Sequence, residues 1–375
     1  MKVLFVINSP WAFYNFRLNL AQAIKSNGYD VLVLMPFDDV YTPKIKKFFK
    51  VYDLYLSPNS INLIKDFYTL INMSIQITKI RPSLILAFTI KMNIYSSIVA
   101  RFLSVPIFCN ITGLGTVFIS KNLIIKKIIL YLYKFSLRYS NIVFFQNKTD
   151  KDFFLSKKII PENRAKIIPG SGVDLAKFRK GRFSKKNKSY LVFLTISRLI
   201  IEKGIYELID AIKIVKKKRP NLKIIFKILG TLDVNSSNPH SITIEEVRKW
   251  EKEEIVDYLG HTDNVEKYIN QSDCVILPSY REGMPRSLLE SFAMKVPVIA
   301  TDVPGCADIV DNYKNGLLCK VRSSTDLADK IILMAEYSSQ TRSEMGENGF
   351  LKIINNFDEK IVIDSYLKSI NELHI

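Results

Sequence analysis

Two kinds of segment alternate along most of the chain. Short apolar runs recur in the first half at 3–8, 30–36, 51–56, 84–89, 106–112 and 141–147. Longer stretches at 16–25, 62–80, 93–104 and 121–139 separate most of them and read as helices. After a turn at Pro169-Gly170 the pattern restarts, with strand-like runs at 191–197, 222–230, 256–260, 274–278 and 297–301. A basic, non-periodic stretch at 175–190 (LAKFRKGRFSKKNKSY) divides the halves and reads as a linker. Apolar runs bridged by helices imply parallel sheets covered on both faces. The expected fold class is therefore α/β, with two doubly wound, Rossmann-like domains facing an interdomain cleft. Their expected extents are 1–174 and 191–357, and a C-terminal helix at 358–375 is expected to pack back toward the first domain. Ligands of such sheets bind at the carboxyl ends of the strands, which places the expected site in the cleft.

Composition narrows the picture. Hydrophobic residues make up 48% and charged residues 24% of 375, which excludes disordered and fibrous chains. Cys109, Cys274, Cys306 and Cys319 are scattered with no C-x-x-C pair, the usage of reduced thiols in cytoplasm rather than of a disulfide framework or zinc site. The opening MKVLFVINSP lacks the run length and cleavage site of a signal peptide. Residues 102–120 carry no charge, but Pro106, Asn110 and Gly113-Leu114-Gly115 break them into a strand and loop rather than a membrane span.

Charge is unevenly placed. Residues 1–180 hold 26 Lys plus Arg against nine Asp plus Glu, a net of +17, whereas 181–375 hold 28 against 27, a net of +1. A basic half points to an anionic partner, nucleic acid or lipid headgroups. No zinc finger, RNP signature or basic zipper supports nucleic acid. The segment 121–138 (KNLIIKKIILYLYKFSLR) sets Lys127, Lys134 and Arg138 on one helical face, with Ile124, Ile128, Tyr131 and Leu132 elsewhere around an apolar majority. It suits a helix lying among anionic headgroups, or an ordinary half-buried helix with a solvated lysine face. The expectation is peripheral attachment to an anionic membrane surface from the cytoplasmic side, with no nucleic-acid partner.

The densest chemistry lies in the second half. Tyr280-Arg281-Glu282-Gly283-Met284-Pro285-Arg286-Ser287-Leu288-Leu289-Glu290 follows the buried run 274–278, and Pro285 suits a first helical turn. Glu282 then falls in the loop and Glu290 on the first turns of the helix, so both reach one cleft. The amides of Gly283, Met284 and the helix start face the same space and suit an anion. A carboxylate is a good acceptor for a vicinal diol. Arg198 and Lys203, five apart across another strand-to-helix turn, bring two cations suited to a diphosphate whose charge grows as a bond to it breaks. Gly230 ends the neighbouring strand and permits close backbone approach to a nucleotide.

Together these residues resemble the GT-B glycosyltransferases of family GT4. The resemblance rests on the E-x7-E pair Glu282 and Glu290 and the R-x4-K pair Arg198 and Lys203. It also takes in Gly-Ser-Gly-Val-Asp at 170–174, Leu-Pro-Ser at 277–279, Val-Pro-Val-Ile-Ala-Thr-Asp-Val-Pro-Gly at 296–305 and Asn-Gly-Leu-Leu at 315–318, in collinear order. Ile-Thr-Gly-Leu-Gly at 111–115 and the segment at 169–174 are similar to enzymes building bacterial surface polysaccharide. That resemblance implies a retaining transfer of a sugar, an N-acetylhexosamine such as GalNAc, from a UDP-sugar to an undecaprenyl-diphosphate-linked saccharide. It implies that Arg198 and Lys203 hold the donor diphosphate, Glu290 the ribose, and Glu282 the transferred sugar. Gly283, Met284, Pro285, Leu289 and Gly230 complete the donor set, and His261 either flanks the nucleobase or is a loop-end histidine. No cofactor and no metal is expected, and Asp150-Lys151-Asp152 reads as a helix cap.

The resemblance has gaps. Asn8-Ser9-Pro10-Trp11 stands where relatives carry a glycine-rich loop, and where relatives often place a first-domain histidine near the transferred sugar, no histidine precedes His240 here, which leaves Thr112 and Gly113 for that position. Asn15, Phe16 and Arg17 after the first run, and Lys91 and Asn93 after the run at 84–89, are the acceptor-side candidates. The alternatives are a nucleotide-sugar epimerase of the same fold, which needs paired acid–base residues, and a basic nucleic-acid-binding protein.

Overall fold

A computed structural model of the chain describes residues 1–56, 63–113, 123–180, 189–232 and 240–373. Parts of several expectations lie outside the described residues: position 62 of the helix expected at 62–80, 114–120 of the uncharged run with Leu114 and Gly115 of the 111–115 segment, the start of the 121–138 stretch, linker positions 181–188, and 374–375 of the C-terminal helix. The chain forms two compact units, Met1–Ser171 with Lys360–Ile375, and Gly172–Glu359.

The first unit is built on a seven-stranded parallel sheet: β1 (Lys2–Val6), β2 (Asp30–Met35), β3 (Lys50–Asp53), β4 (Leu84–Phe88), β5 (Ile107–Ile111), β6 (Ile142–Phe145) and β7 (Ala165–Ile167), in spatial order β3-β2-β1-β4-β5-β6-β7. Alternate residues feed two cores, Leu4 and Val6 one and Val3 and Phe5 the other, which is why these strands read as unbroken apolar runs. Order reverses between β1 and β4, the switch point of the sheet. The final helix, Glu359–Asn371, supplies Val362, Tyr366 and Ile370 to this unit's core. Tyr366 packs 4.4 Å from the Phe144 ring, and its hydroxyl accepts from Asn110 Nδ2 at 2.8 Å. Tyr366→Phe leaves that buried amide unsatisfied, at a cost of ~1–3 kcal/mol. The expected readout is a first melting transition lowered by roughly 2–4 °C per kcal/mol, and unchanged melting would contradict it.

The second unit holds a six-stranded parallel sheet: β8 (Leu191–Ile196), β9 (Ile224–Leu229), β10 (Asp257–Tyr258), β11 (Cys274–Leu277), β12 (Val298–Thr301) and β13 (Gly316–Cys319), in order β10-β9-β8-β11-β12-β13. It too has two cores, and its switch point falls between β8 and β11. Where the chain enters and leaves this unit, Val173 N–H donates to the Phe357 carbonyl at 3.0 Å and Glu359 N–H to the Val173 carbonyl at 3.2 Å. Gly172, at φ +66°, lies where a Cβ would stand 2.4 Å from the Glu359 Cα, so the glycine in the 170–174 segment serves this close crossing.

Several expectations are corrected. The linker at 175–190 begins as a helix, Leu175–Lys180, whose Leu175 and Phe178 are buried in the second unit's core. The helix expected at 16–25 runs Leu18–Ser26, and a separate one that the pattern does not give, Pro10–Phe16, precedes it, started by Ser9 accepting from the Ala12 amide with Pro10 in the first turn. At Asp150-Lys151-Asp152 the cap is Asn147, which accepts from the Asp150 amide, while Asp150 is buried in the first turn. Among the described residues no helix is long and apolar enough to cross a membrane.

Candidate active site

The R-x4-K and E-x7-E segments leave the carboxyl ends of β8 and β11, the two strands that meet at the second unit's switch point. After β8 the chain makes a short 3-10 turn, Ile201–Lys203, and enters the helix Ile205–Lys218 through Gly204 in the left-handed region. A Cβ on Gly204 would stand 2.1 Å from the Pro278 carbonyl oxygen, so glycine lets the two loops lie against each other. Tyr280 N–H then donates to the Glu202 carbonyl at 2.9 Å, and Thr301 Oγ1, at the end of β12, donates to the Ser279 carbonyl at 2.5 Å.

This lacing brings Lys203 and Glu282 together. Lys203 Nζ donates to Glu282 Oε1 at 2.5 Å, with the two side chains largely shielded from solvent. Gly305, at φ +82°, completes the wall: a Cβ there would stand 2.4 Å from the Gly283 carbonyl oxygen. The next residue, Cys306, is fully buried; burial first and the Glu282 carboxylate second push its thiol well above its ordinary range, so it stays protonated beside the ion pair. Arg198 is exposed. Among the described residues no three His, Cys, Asp or Glu side chains gather closely enough to hold a metal ion.

Glu290 lies in the helix Arg286–Ala293, buried, with both Nε and Nη2 of Arg286 reaching its Oε1 at 3.0 Å. Pro285 is the buried N-cap residue, and its carbonyl accepts from the Leu288 and Leu289 amides at 3.2 and 3.4 Å. Met284 packs on the core beneath. Leu289 is a correction: its side chain is fully buried in that core and does not line the site. The reason given for Gly230 also changes. A Cβ there would stand 1.7 Å from the Ser197 carbonyl oxygen, so the glycine is required by the packing of two loops, whatever binds above them. His261 is exposed, with Nε2 3.8 Å from Asp263 Oδ1.

Three supports are not among the residues that the motifs point to. Arg286 orients Glu290 from i−4, a spacing visible in the motif. Glu202, buried, has Oε1 2.9 Å from His240 Nδ1, across a separation that the sequence does not signal. Tyr280 donates its hydroxyl to Glu207 at 2.7 Å and carries the Arg322 guanidinium 4.4 Å over its ring; burial and Glu207 raise its pKa.

On the first unit, the acceptor-side candidates occupy the ends of β1, β4 and β5. Asn15 Nδ2 donates to the Trp11 carbonyl, and the Phe16 ring meets the Trp11 ring edge-on at 5.0 Å. Arg17 is buried over the Phe88 ring at 4.5 Å. Lys91 pairs with Asp66 at 2.8 Å. Asn93 is corrected: it is wholly buried and donates to the Asn110 carbonyl at 2.8 Å, so it braces β5 from inside. Thr112 and Gly113 are half-buried just beyond β5, Gly113 at φ +123°.

Comparison with known proteins gives this arrangement a class. Residues 177–352 match the family described as "Glycosyl transferases group 1", and residues 2–147 match "Glycosyl transferase 4-like". The chain is 27% identical to the N,N'-diacetylbacillosaminyl-diphospho-undecaprenol alpha-1,3-N-acetylgalactosaminyltransferase of Campylobacter jejuni, over 98% of each chain. It is 24% identical to the UDP-Gal:alpha-D-GlcNAc-diphosphoundecaprenol alpha-1,3-galactosyltransferase of Escherichia coli, over 80% of this chain and 78% of that one. In fold it matches Anabaena Alr3699/HepE, solved in complex with UDP-glucose, with a TM-score of 0.79 and 17% identity over 99% of this chain and 100% of that one. Two Rossmann-like units and these matches define a glycosyltransferase of the GT-B fold. Within that class the chain belongs to family GT4.

Proposed function

We propose that this glycosyltransferase moves an N-acetylhexosamine, with GalNAc as the first candidate, from a UDP-sugar to an undecaprenyl-diphosphate-linked saccharide in bacterial surface-polysaccharide synthesis, retaining the anomeric configuration. The observation that carries the site is the Lys203–Glu282 pair at the β8/β11 switch point. The Campylobacter and Escherichia relatives support the substrate class, since their names specify diphosphoundecaprenol-linked acceptors.

In this reading the bond from the sugar's anomeric carbon to the β-phosphate oxygen breaks as the acceptor hydroxyl approaches the same face. The hydroxyl proton passes to the departing phosphate oxygen, and the new glycosidic bond forms where the old one stood. Lys203 and Arg198 take up the charge that grows on the leaving diphosphate, joined by the first-turn amides at Arg286. Glu282 contacts the transferred sugar's hydroxyls while fixing the Lys203 ammonium, and Glu290, oriented by Arg286, accepts from the ribose hydroxyls. Side-chain cations neutralise the diphosphate, so the reaction needs no metal. Acceptor binding falls to the basic first unit, which also docks peripherally on the cytoplasmic face of an anionic membrane.

The test is turnover of a panel of UDP- and GDP-sugars with and without a chelator, with the product's anomeric configuration read by NMR. Expected are preferential use of a UDP-N-acetylhexosamine, activity preserved in EDTA, and a retained product. An inverted product, or activity abolished by the chelator, would contradict the mechanism.

A further inference from the structure

The first unit contains a cavity of about 1000 Å³ that the transfer reaction does not use. It is lined by the end of the helix Ile90–Phe102, the last turns of the helix Leu123–Leu137, and residues 155–164. Those segments lead into β5, β6 and β7, so the cavity lies at the amino ends of these strands, whereas the acceptor-side candidates lie at carboxyl ends. Arg101, Lys134, Arg138, Lys158 and Arg164 line it, and Glu162 is the one acid among its lining residues. Among the described residues, none of these five cations has an ion-pair partner. Two of them are held in place: the Arg101 guanidinium stacks 3.8 Å over the Tyr139 ring, and Arg164 Nη1 donates to the Arg138 carbonyl at 2.9 Å.

The surroundings say what kind of anion fits. Tyr131 is 71% exposed, and Phe135 and Tyr139 are exposed at the same wall. Ile124 and Ile128 continue along the helix, so the aliphatic positions expected to turn away from its lysines face solvent beside them. The helix Leu63–Ile80 exposes a second stripe, Ile64, Phe67, Tyr68, Ile71 and Ile75, at helical spacing. It packs on the helix Ile90–Phe102, which packs on Leu123–Leu137, and all three cover one face of the sheet. Nucleic acid offers phosphate but nothing that buries aliphatic side chains; an anionic bilayer offers both.

We infer that this cavity is a headgroup site: it takes the phosphodiester of an anionic bilayer lipid while the two helical stripes enter the headgroup layer. The inference rests on the proposed peripheral attachment to a membrane and adds to it a discrete pocket, separate from the place of transfer.

Flotation of the full chain with phosphatidylcholine vesicles, alone or with phosphatidylglycerol, tests it. Each cation near an anionic surface contributes about fivefold in partition, so Lys134→Ala/Arg138→Ala/Lys158→Gly should weaken binding to the mixed vesicles on the order of 100-fold. Lys158 sits at φ +51°, where glycine is the favoured residue, so Lys158→Gly alone serves if the triple variant melts early. Lys46→Ala/Lys47→Ala/Lys50→Ala removes as much charge outside the cavity and should cost far less. Equal losses from the two triple variants would show diffuse attraction and overturn the pocket while leaving membrane attachment standing. Equal binding to phosphatidylcholine alone would overturn it too, as would release of the wild type by chloride as readily as by inorganic phosphate of equal ionic strength. Binding of duplex DNA that needs the same three cations and is not competed by the vesicles would assign the cavity to nucleic acid instead. Nucleotide-sugar turnover by the wild-type chain in solution tests the transferase reading separately.

Discussion

Replacing Lys203 by alanine is expected to lower sugar transfer by about 10²–10³-fold in kcat, the usual cost of losing one donor aimed at developing charge. The same substitution strands Glu282, whose carboxylate is mostly shielded, so a stability loss of ~1–3 kcal/mol accompanies it. These two effects separate by measurement. Melting reports the stranded carboxylate, and the kcat of donor turnover reports the lost cation. Glu282→Ala should likewise reduce transfer, and the double variant should fall well short of the product of the single losses, because the residues act as one unit. A Lys203→Ala variant that melts early yet turns over donor at the wild-type rate would reduce the pair to a structural bridge and remove the site assignment.

The architecture is readable in the sequence because parallel strands buried on both faces leave apolar runs that no solvent-facing residue interrupts, as at Leu84–Phe88 and Cys274–Leu277. β7, of three residues, carries too little pattern to register, whereas β10, of only two, falls within the apolar run at 256–260. The helix Pro10–Phe16 does carry a start signal, Ser9 followed by Pro10, but seven residues are too few for a helical period to show. In the site, the spacing of the acids and cations identifies loops that do lie together, because adjacent strands deliver them. Burial is the part that spacing cannot supply. Leu289 lies one residue from Glu290 and Asn93 two from the partly exposed Lys91, and only packing decides which way each side chain turns. Gly172, Gly230 and Gly305 show the same limit: their positions in the motifs are visible, but the carbonyl or chain each one admits comes from a distant segment.

Gly305→Ala is expected to be strongly damaging although the residue carries no functional group. Its backbone lies at φ +82°, a region that costs a residue with a Cβ about 1–2 kcal/mol. The Cβ would also meet the Gly283 carbonyl oxygen at 2.4 Å and the Glu282 carbonyl oxygen at 2.9 Å, both backbone atoms of the loop that carries the Glu282 carboxylate. Neither contact is relieved by a side-chain rotation, so the loop must shift. A displacement near 1 Å in a positioning element costs about 10²-fold in rate. Gly28→Ala is the control, because Gly28 has φ +88° but nothing within 4 Å of its added Cβ. It carries the conformational cost without the collision, so it should lower the melting temperature and leave donor turnover intact. If Gly305→Ala loses stability like Gly28→Ala and keeps full activity, the wall it forms against Gly283 does not position Glu282.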